Sequence, residues 1–383
     1  MKGKYKNHFQ FFLVLVYRSF IRLIIRSLIS WDKNNQPVQN GCTVIIAMCS
    51  KLPGVLYGNL LGLRLAQWSS LNEVIIAVDN VENEISKLFE EQIINDFKDL
   101  NIRFIHYSKY QSFVTDLLKI PYVYSWLSWA IAINACRTSS FFIHDYDALF
   151  LGDFLKDRYI NFVNSKRIMQ GVLYYQTNGL LTDDKLVCTF EAFTDTQWAR
   201  SYPPVAMFNK LGFINERSVD YDTLLFMQQY YTKEADRGII PMSEEELLHP
   251  TQMIFQYTVF QKFPKRPWHC AALVMIPFFL SLKDQSILKD VVNRIKLSSN
   301  KVIELLGDGC LMNFSTLSSE NLDKMLRLMI QGYIKFNIKP FQDFYNYGTA
   351  LYDLIDLPIS ERWRIFQTKE QENWLKILKA SFV

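Results

Sequence analysis

Residues 43–48 read TVIIAM and residues 73–79 read EVIIAVD. Each is a continuous apolar, β-branched run rather than an alternation of apolar and polar residues, the pattern of a strand buried on both faces. Between them, residues 54–70 carry apolar side chains at helical spacing. The alternation continues outward. Residues 82–100 (ENEISKLFEEQIINDFKDL) read as an amphipathic helix with acids near its start, where the helix dipole favours them. Residues 102–107 (IRFIHY) follow as a third strand, residues 122–137 as a third helix and residues 140–144 (SFFIH) as a fourth strand. Strand–helix–strand repeated three times predicts an α/β fold with a Rossmann-type, mostly parallel sheet flanked by helices. Residues 281–383 read as a helical C-terminal region, so the expected catalytic body spans residues 42–280.

A chain of 383 residues, 49% hydrophobic and 21% charged, can bury a large core and is neither disordered, collagenous nor a coiled-coil rod. It has 42 basic residues against 38 acidic ones, a formal net charge of +4. Lys2, Lys4, Lys6, Arg18, Arg22 and Arg26 all precede residue 31, a stretch with no acid, so the rest of the chain is close to neutral. No nucleic-acid partner is expected from such a body. The six cysteines (42, 49, 136, 188, 270, 310) include no CxxC pair, which excludes a zinc ribbon and predicts reduced, buried thiols in a cytosol-facing protein.

Residues 9–30 (FQFFLVLVYRSFIRLIIRSLIS) have an apolar run too short to span a bilayer before Arg18 interrupts it. On a helix, Arg18, Arg22 and Arg26 make one basic stripe beside an apolar face. That suits a helix lying flat at an anionic membrane interface with its arginines at headgroup depth. The alternatives are a helix packed on the protein's own body with its arginines in water, or a signal or spanning segment. Residues 31–41 (WDKNNQPVQNG) then form a polar linker. The predicted location is cytoplasmic, at the membrane face.

In an open parallel sheet, ligands bind beyond the carboxyl ends of the strands. Strand one is followed by Cys49-Ser-Lys-Leu-Pro-Gly54, strand two by Asp79-Asn80 and strand four by Asp145-Tyr-Asp147. The first loop matches neither a dinucleotide fingerprint nor a P-loop. Asp145 and Asp147 are the informative pair. At i and i+2 in extended backbone they point to one side, and two carboxylates so close repel unless a cation lies between them. A hard divalent ion, Mn²⁺ or Mg²⁺, meets that need and keeps positions open for phosphate oxygens. The alternative is a solvated strand-end turn.

The order TVIIAM, EVIIAVDN, ACRTSSFFIHDYDALFLGDF resembles the nucleotide-sugar-dependent glycosyltransferases of the GT-A fold, family 2-like members included, over residues 42–275. The resemblance implies that Asp79 contacts the nucleoside, and that Asp145 and Asp147 hold the metal against the sugar diphosphate of a nucleotide-sugar donor. The processive QxxRW motif of that family is missing; Lys265-Arg-Pro-Trp268 and Glu361-Arg-Trp363 only echo it. Transfer of a single sugar, to a glycan or lipid-linked acceptor and from a UDP-linked donor, is therefore expected.

In inverting members of that family the catalytic base lies about a hundred residues past the DxD, near a helix start. Residues 243–249 (SEEELLH) fit, with Ser243 as N-cap and Glu244 and Glu245 as candidates; Asp220 and Asp222 (VDYD) are rivals. The alternative role of such acids is to complement the dipole. Some members complete the metal shell with a C-terminal histidine, which implies His269, with His249 as second candidate. His144 points away from the DxD and reads as packing. Tyr122, Tyr124, Trp126 and Trp129 read first as core and second as a stacking surface for a base or sugar. Residues 171–208 lack periodicity and are expected to hold acceptor-binding loops. Two rivals to the transferase remain, a nucleotidyltransferase on a similar sheet and an inactive membrane-tethered scaffold.

Overall fold

The structure is a computed structural model, and it describes residues 2–32, 39–82, 84–262, 271–298, 300–364 and 368–382. The chain opens with a two-residue strand, β1 (Lys2–Gly3), and the helix α1 (His8–Ile25). The expected alternation follows: β2 (Gln39–Met48), α2 (Val55–Leu65), β3 (Leu71–Val81), α3 (Lys87–Asp96) and β4 (Ile102–Tyr107). Next come α4 (Lys109–Leu118), α5 (Pro121–Ala135), β5 (Thr138–His144), β6 (Leu149–Phe150), α6 (Leu155–Ser165), β7 (Met169–Leu173) and β8 (Val187–Asp195). Then α7 (Thr196–Arg200), β9 (Lys210–Ile214), β10 (Arg217–Tyr221), α8 (Leu225–Tyr231) and β11 (Arg237–Ile239). After β12 (Leu247–Leu248) and α9 (Met253–Lys262), the remainder is α10 (Ile276–Ser281), α11 (Ile287–Leu297), a β13–β14 hairpin (Val302–Glu304, Leu311–Asn313), α12 (Ser319–Lys335), α13 (Gln342–Leu354) and α14 (Lys369–Phe382).

The chain divides into two compact units. The first holds Met1–Pro53, Trp68–Asp145 and Phe154–Met242. Its centre is a seven-stranded sheet in the order β11-β7-β8-β5-β2-β3-β4. β2 pairs in parallel with β3 and β5, β3 with β4, and β11 with β7, which gives the mostly parallel sheet that the apolar runs predict. Val44, Ile45 and Ile46 on β2 and Val74, Ile75 and Ile76 on β3 are fully buried, as strands covered on both faces require. On α5, Trp126 and Trp129 are core residues, while Tyr122 and Tyr124 pack part-buried against the same cluster.

Two elements depart from the expected order. β8 lies inside the region assigned to loops and runs antiparallel between β5 and β7. Its strand character is masked by Thr189, Glu191 and Thr194, polar residues that are buried all the same. Glu191 is tolerated because it meets His144 of β5, with Oε1 2.7 Å from Nδ1. The second departure is α4, a helix between the third strand and the third expected helix. Ser108 and Gln111 close a capping box at its start, a signature present in the sequence as S-x-x-Q.

The N-terminal helix also differs from expectation. The side chains of Arg18 and Arg22 lie against the protein rather than outward. Arg18 reaches Asp220 at 3.4 Å and sits over the Tyr122 ring, while Arg22 donates to the Phe208 carbonyl at 2.8 Å. Ile21 and Ile25 join the core beside them. The strand β1 pairs with β10, and Tyr5 donates from its hydroxyl to Asp220. The large apolar and aromatic residues of α1 left exposed are Phe9, Phe12, Leu13, Val16, Tyr17, Phe20 and Leu23. Packing decides the matter: Arg18 finds a carboxylate and Arg22 a backbone oxygen on the protein, so these two arginines turn inward and the apolar arc turns out.

The second unit holds Gly54–Gln67, Tyr146–Asp153 and Ser243–Val383. Its two-residue strands β6 and β12 pair antiparallel, Leu247 opposite Phe150 and Leu248 opposite Leu149. A Cβ on Gly62 of α2 would fall 2.9 Å from the Phe150 nitrogen, so glycine lets the helix backbone approach β6.

Candidate functional site

In the first unit, the carboxyl ends of β2 and β3 meet at Asp79. Its Oδ1 accepts the Ser50 backbone N–H at 2.8 Å, tying β3 to the loop after β2. Burial pushes the Asp79 carboxyl above its usual range, against the lowering effect of Ser50. The next residue, Asn80, accepts from the Ser112 hydroxyl at 3.0 Å.

Asp145 follows directly on β5 and is the last residue of the first unit; the chain passes at Tyr146 into the second. Tyr146 is buried, and its carbonyl accepts from Asn59 Nδ2 of α2 at 2.9 Å. The β6–β12 register then decides which side chain faces Asp147. With Leu248 opposite Leu149, His249 falls beside Ala148 and its Nε2 lies 3.4 Å from Asp147 Oδ1. Asp147 Oδ2 accepts the Ile254 backbone N–H at the start of α9. Asp147 is 5% exposed. Burial alone would raise its pKa, but the hydrogen bond and charge of His249, with two backbone N–H groups, hold it below the usual carboxylate range.

Asp145 is placed relative to Asp147 by the two-residue link itself. Each of Asp145, Asp147 and His249 offers one ligand atom, and the three atoms lie within 4.8 Å of one another. Two carboxylate oxygens and one imidazole nitrogen fit a divalent ion that takes oxygen and nitrogen donors and leaves positions for further oxygens. His249 was the second of the two histidine candidates; His269 lies outside the described residues. The signal that selects His249 is the pair of dipeptides LF and LL, too short to read as strands in the sequence alone.

The base candidates separate clearly. Glu244 pairs with Arg327 at 2.9 Å and Lys324 at 3.6 Å, and Glu245 is exposed. No helix starts at Ser243, because Leu247 and Leu248 are taken into β12; α9 begins ten residues later. Of the VDYD pair, Asp220 is engaged by Tyr5 and Arg18. Asp222 stands between β10 and α8, its Oδ1 accepting from Asn209 Nδ2 at 2.9 Å and the Thr223 N–H at 2.8 Å. Burial pushes its carboxyl above the usual range. Asp222 and Asp145 share a neighbourhood: beyond burial, the charges of both bear on the Cys188 thiol and the Tyr175 hydroxyl and raise them. Tyr175 stacks on Tyr174 with ring centroids 4.6 Å apart and is 47% exposed.

No family model and no curated protein matches the sequence. Among solved structures, the chain is similar to residues 1–349 of TarS from S. aureus, at 12% identity over 86% of this chain and 95% of that one, with a TM-score of 0.34. It is also similar to the galactosyltransferase LgtC in complex with donor and acceptor sugar analogs, at 10% identity over 51% and 68% of the chains, TM-score 0.32. A third is 4-diphosphocytidyl-2C-methyl-D-erythritol synthase from Anaerococcus prevotii, at 17% identity over 43% and 74%, TM-score 0.27. At such identities and TM-scores these are likenesses only, and function is read from the chain's own residues.

Proposed function

We propose that the protein is a metal-dependent glycosyltransferase that moves a single sugar from a UDP-linked donor to a glycan or lipid-linked acceptor at the cytoplasmic face of a membrane. The observation that carries this reading is the Asp145–Asp147–His249 group directly after the central strand β5, behind a sheet whose buried runs resemble those of the GT-A enzymes. A divalent ion bound there would neutralise charge on the departing diphosphate. The chain's own part is to hold the ligands: Asn59 fixes the Tyr146 carbonyl between the two aspartates, and the β6–β12 pairing fixes His249. Mn²⁺ suits the set better than Mg²⁺, because one donor is nitrogen.

Asp79 is the residue assigned to the nucleoside, supported by its place at the end of β3 beside the loop after β2. For the proton of the acceptor hydroxyl we assign Asp222 over Glu244 and Glu245. Glu244 is already neutralised by two cations, whereas Asp222 is half-buried, raised in pKa and near Asp145. A carboxylate base in that role implies inversion at the anomeric carbon. The exposed ring of Tyr175 is the surface we assign to stacking on a sugar.

Calorimetric titration of UDP with and without Mn²⁺, on wild type and on Asp145→Ala/Asp147→Ala, tests the reading. Expected is binding that requires Mn²⁺ and is lost in the double variant. Failure of a folded wild type to bind would leave the scaffold reading, and binding indifferent to the double variant would remove the aspartates from the donor site.

A further inference from the structure

The exposed arc of α1 has a neighbour of the same character. On α4, Tyr110, Phe113 and Leu117 are exposed, and their spacing sets all three on one face of that helix. The two elements touch where the α1 segment ends. Ser27, which continues the outward arc of α1 by helical spacing, has its hydroxyl 3.0 Å from the Tyr110 hydroxyl, and Gln111 donates to the Leu28 carbonyl. Both helices belong to the first unit, so the patch is a built surface and not a loose segment. Its composition is aromatic and aliphatic, with exposed cations at its margins: Lys6 before α1, Arg26 after it, and Lys109 and Lys119 at the two ends of α4. Residues 1–30 carry no acid, and the single acid within α4, Asp116, accepts from the Tyr124 hydroxyl.

By length and composition alone, α1 could cross a bilayer, with a mean hydropathy of 1.5. The geometry points elsewhere. A crossing helix would have to withdraw Arg18 from Asp220 and Arg22 from the Phe208 carbonyl and expose both to hydrocarbon. We infer that α1 and α4 together form one face that seats on the surface of an anionic lipid bilayer, with Phe12, Phe20, Phe113 and Leu117 entering the acyl boundary and the marginal cations meeting the headgroups. Apolar side chains ringed by lysine and arginine match that interface, where both terms add to binding. The inference rests on the membrane-face reading and names the surface responsible; it does not depend on the sugar chemistry.

The full chain is tested by co-sedimentation with vesicles of phosphatidylcholine alone and with added phosphatidylglycerol. Wild type is expected to sediment with the anionic vesicles and weakly with the neutral ones. Phe113→Gln/Leu117→Gln, which leaves α1 untouched, should raise the lipid concentration for half-binding by about tenfold or more, as should Phe12→Gln/Phe20→Gln. Circular dichroism and Mn²⁺-dependent UDP binding by the same variants separate this from misfolding. Vesicle binding by the α4 variant equal to wild type would overturn the two-helix face while leaving a membrane-bound protein. No binding of wild type to either vesicle would overturn the membrane-face reading itself. Light scattering that shows a dimer, dispersed by the α4 substitutions with no change on vesicles, would assign the face to a second copy and overturn the inference.

Discussion

Asp147 is buried and Asp222 half-buried, and their surroundings push their protons in opposite directions. His249 and two backbone N–H groups favour the charged form of Asp147, whereas burial dominates at Asp222 and favours the neutral form. A charged Asp147 is ready for a cation. Asp147→Asn and His249→Ala should each weaken Mn²⁺ binding by more than about tenfold, measured by the electron paramagnetic resonance signal of free Mn²⁺. Because Asp222 is raised in the folded chain, its contribution to stability is fully present below its unfolded pKa and is lost as pH rises through the folded value. Asp222→Asn keeps an oxygen for Asn209 and Thr223 and removes that penalty. It should melt higher than wild type at about pH 8, with the difference shrinking toward about pH 3, while transfer is abolished. An unchanged melting curve across that range would contradict the raised carboxyl. The carboxylate pair was legible in the sequence from its i, i+2 spacing set between two apolar runs, SFFI before it and ALFL after it. His249 was harder, because its place depends on a pairing between two dipeptides a hundred residues apart, and nothing local marks it.

At the scale of elements, strands β2 and β3 announce themselves because burial on both faces demands an unbroken apolar run. β8 does not, because Glu191 is acceptable there only once His144 is opposite it. The orientation of α1 was equally hidden: a helix with an arginine stripe and an apolar arc can turn either one inward, and the choice lies with residues two hundred positions away. Arg18 and Asp220 supply that choice, and their coupling is measurable. Arg18→Met leaves Asp220 without its cation and should cost about 1–3 kcal/mol in urea unfolding. Asp220→Asn in the Arg18→Met background should recover part of that loss, since the stranded charge is gone. Additive losses in the cycle would mean that the pair contributes nothing to holding the helix.

For the whole molecule, the inward face of α1 means that residues 1–30 are part of the folded body and not a detachable anchor. Ile21, Ile25 and Leu28 are buried in the main cluster, each worth about 1.5–3 kcal/mol. A chain starting at residue 31 should therefore lose several degrees of melting temperature, or fail to stay soluble, before any loss of lipid binding can be read from it. A truncated chain as stable as wild type would show that the contacts of α1 are dispensable. The same anchoring has a consequence for biosynthesis. Arg18 waits for a partner 202 residues downstream, and Tyr5 for one 215 residues downstream. At about 5–20 residues per second, the ribosome exposes this apolar, basic helix for about 10–40 s before Asp220 is made. During that interval Tyr5 and Arg18 lack the carboxylate that holds them, and whatever greets emerging hydrophobic segments has access to the helix before that partner exists.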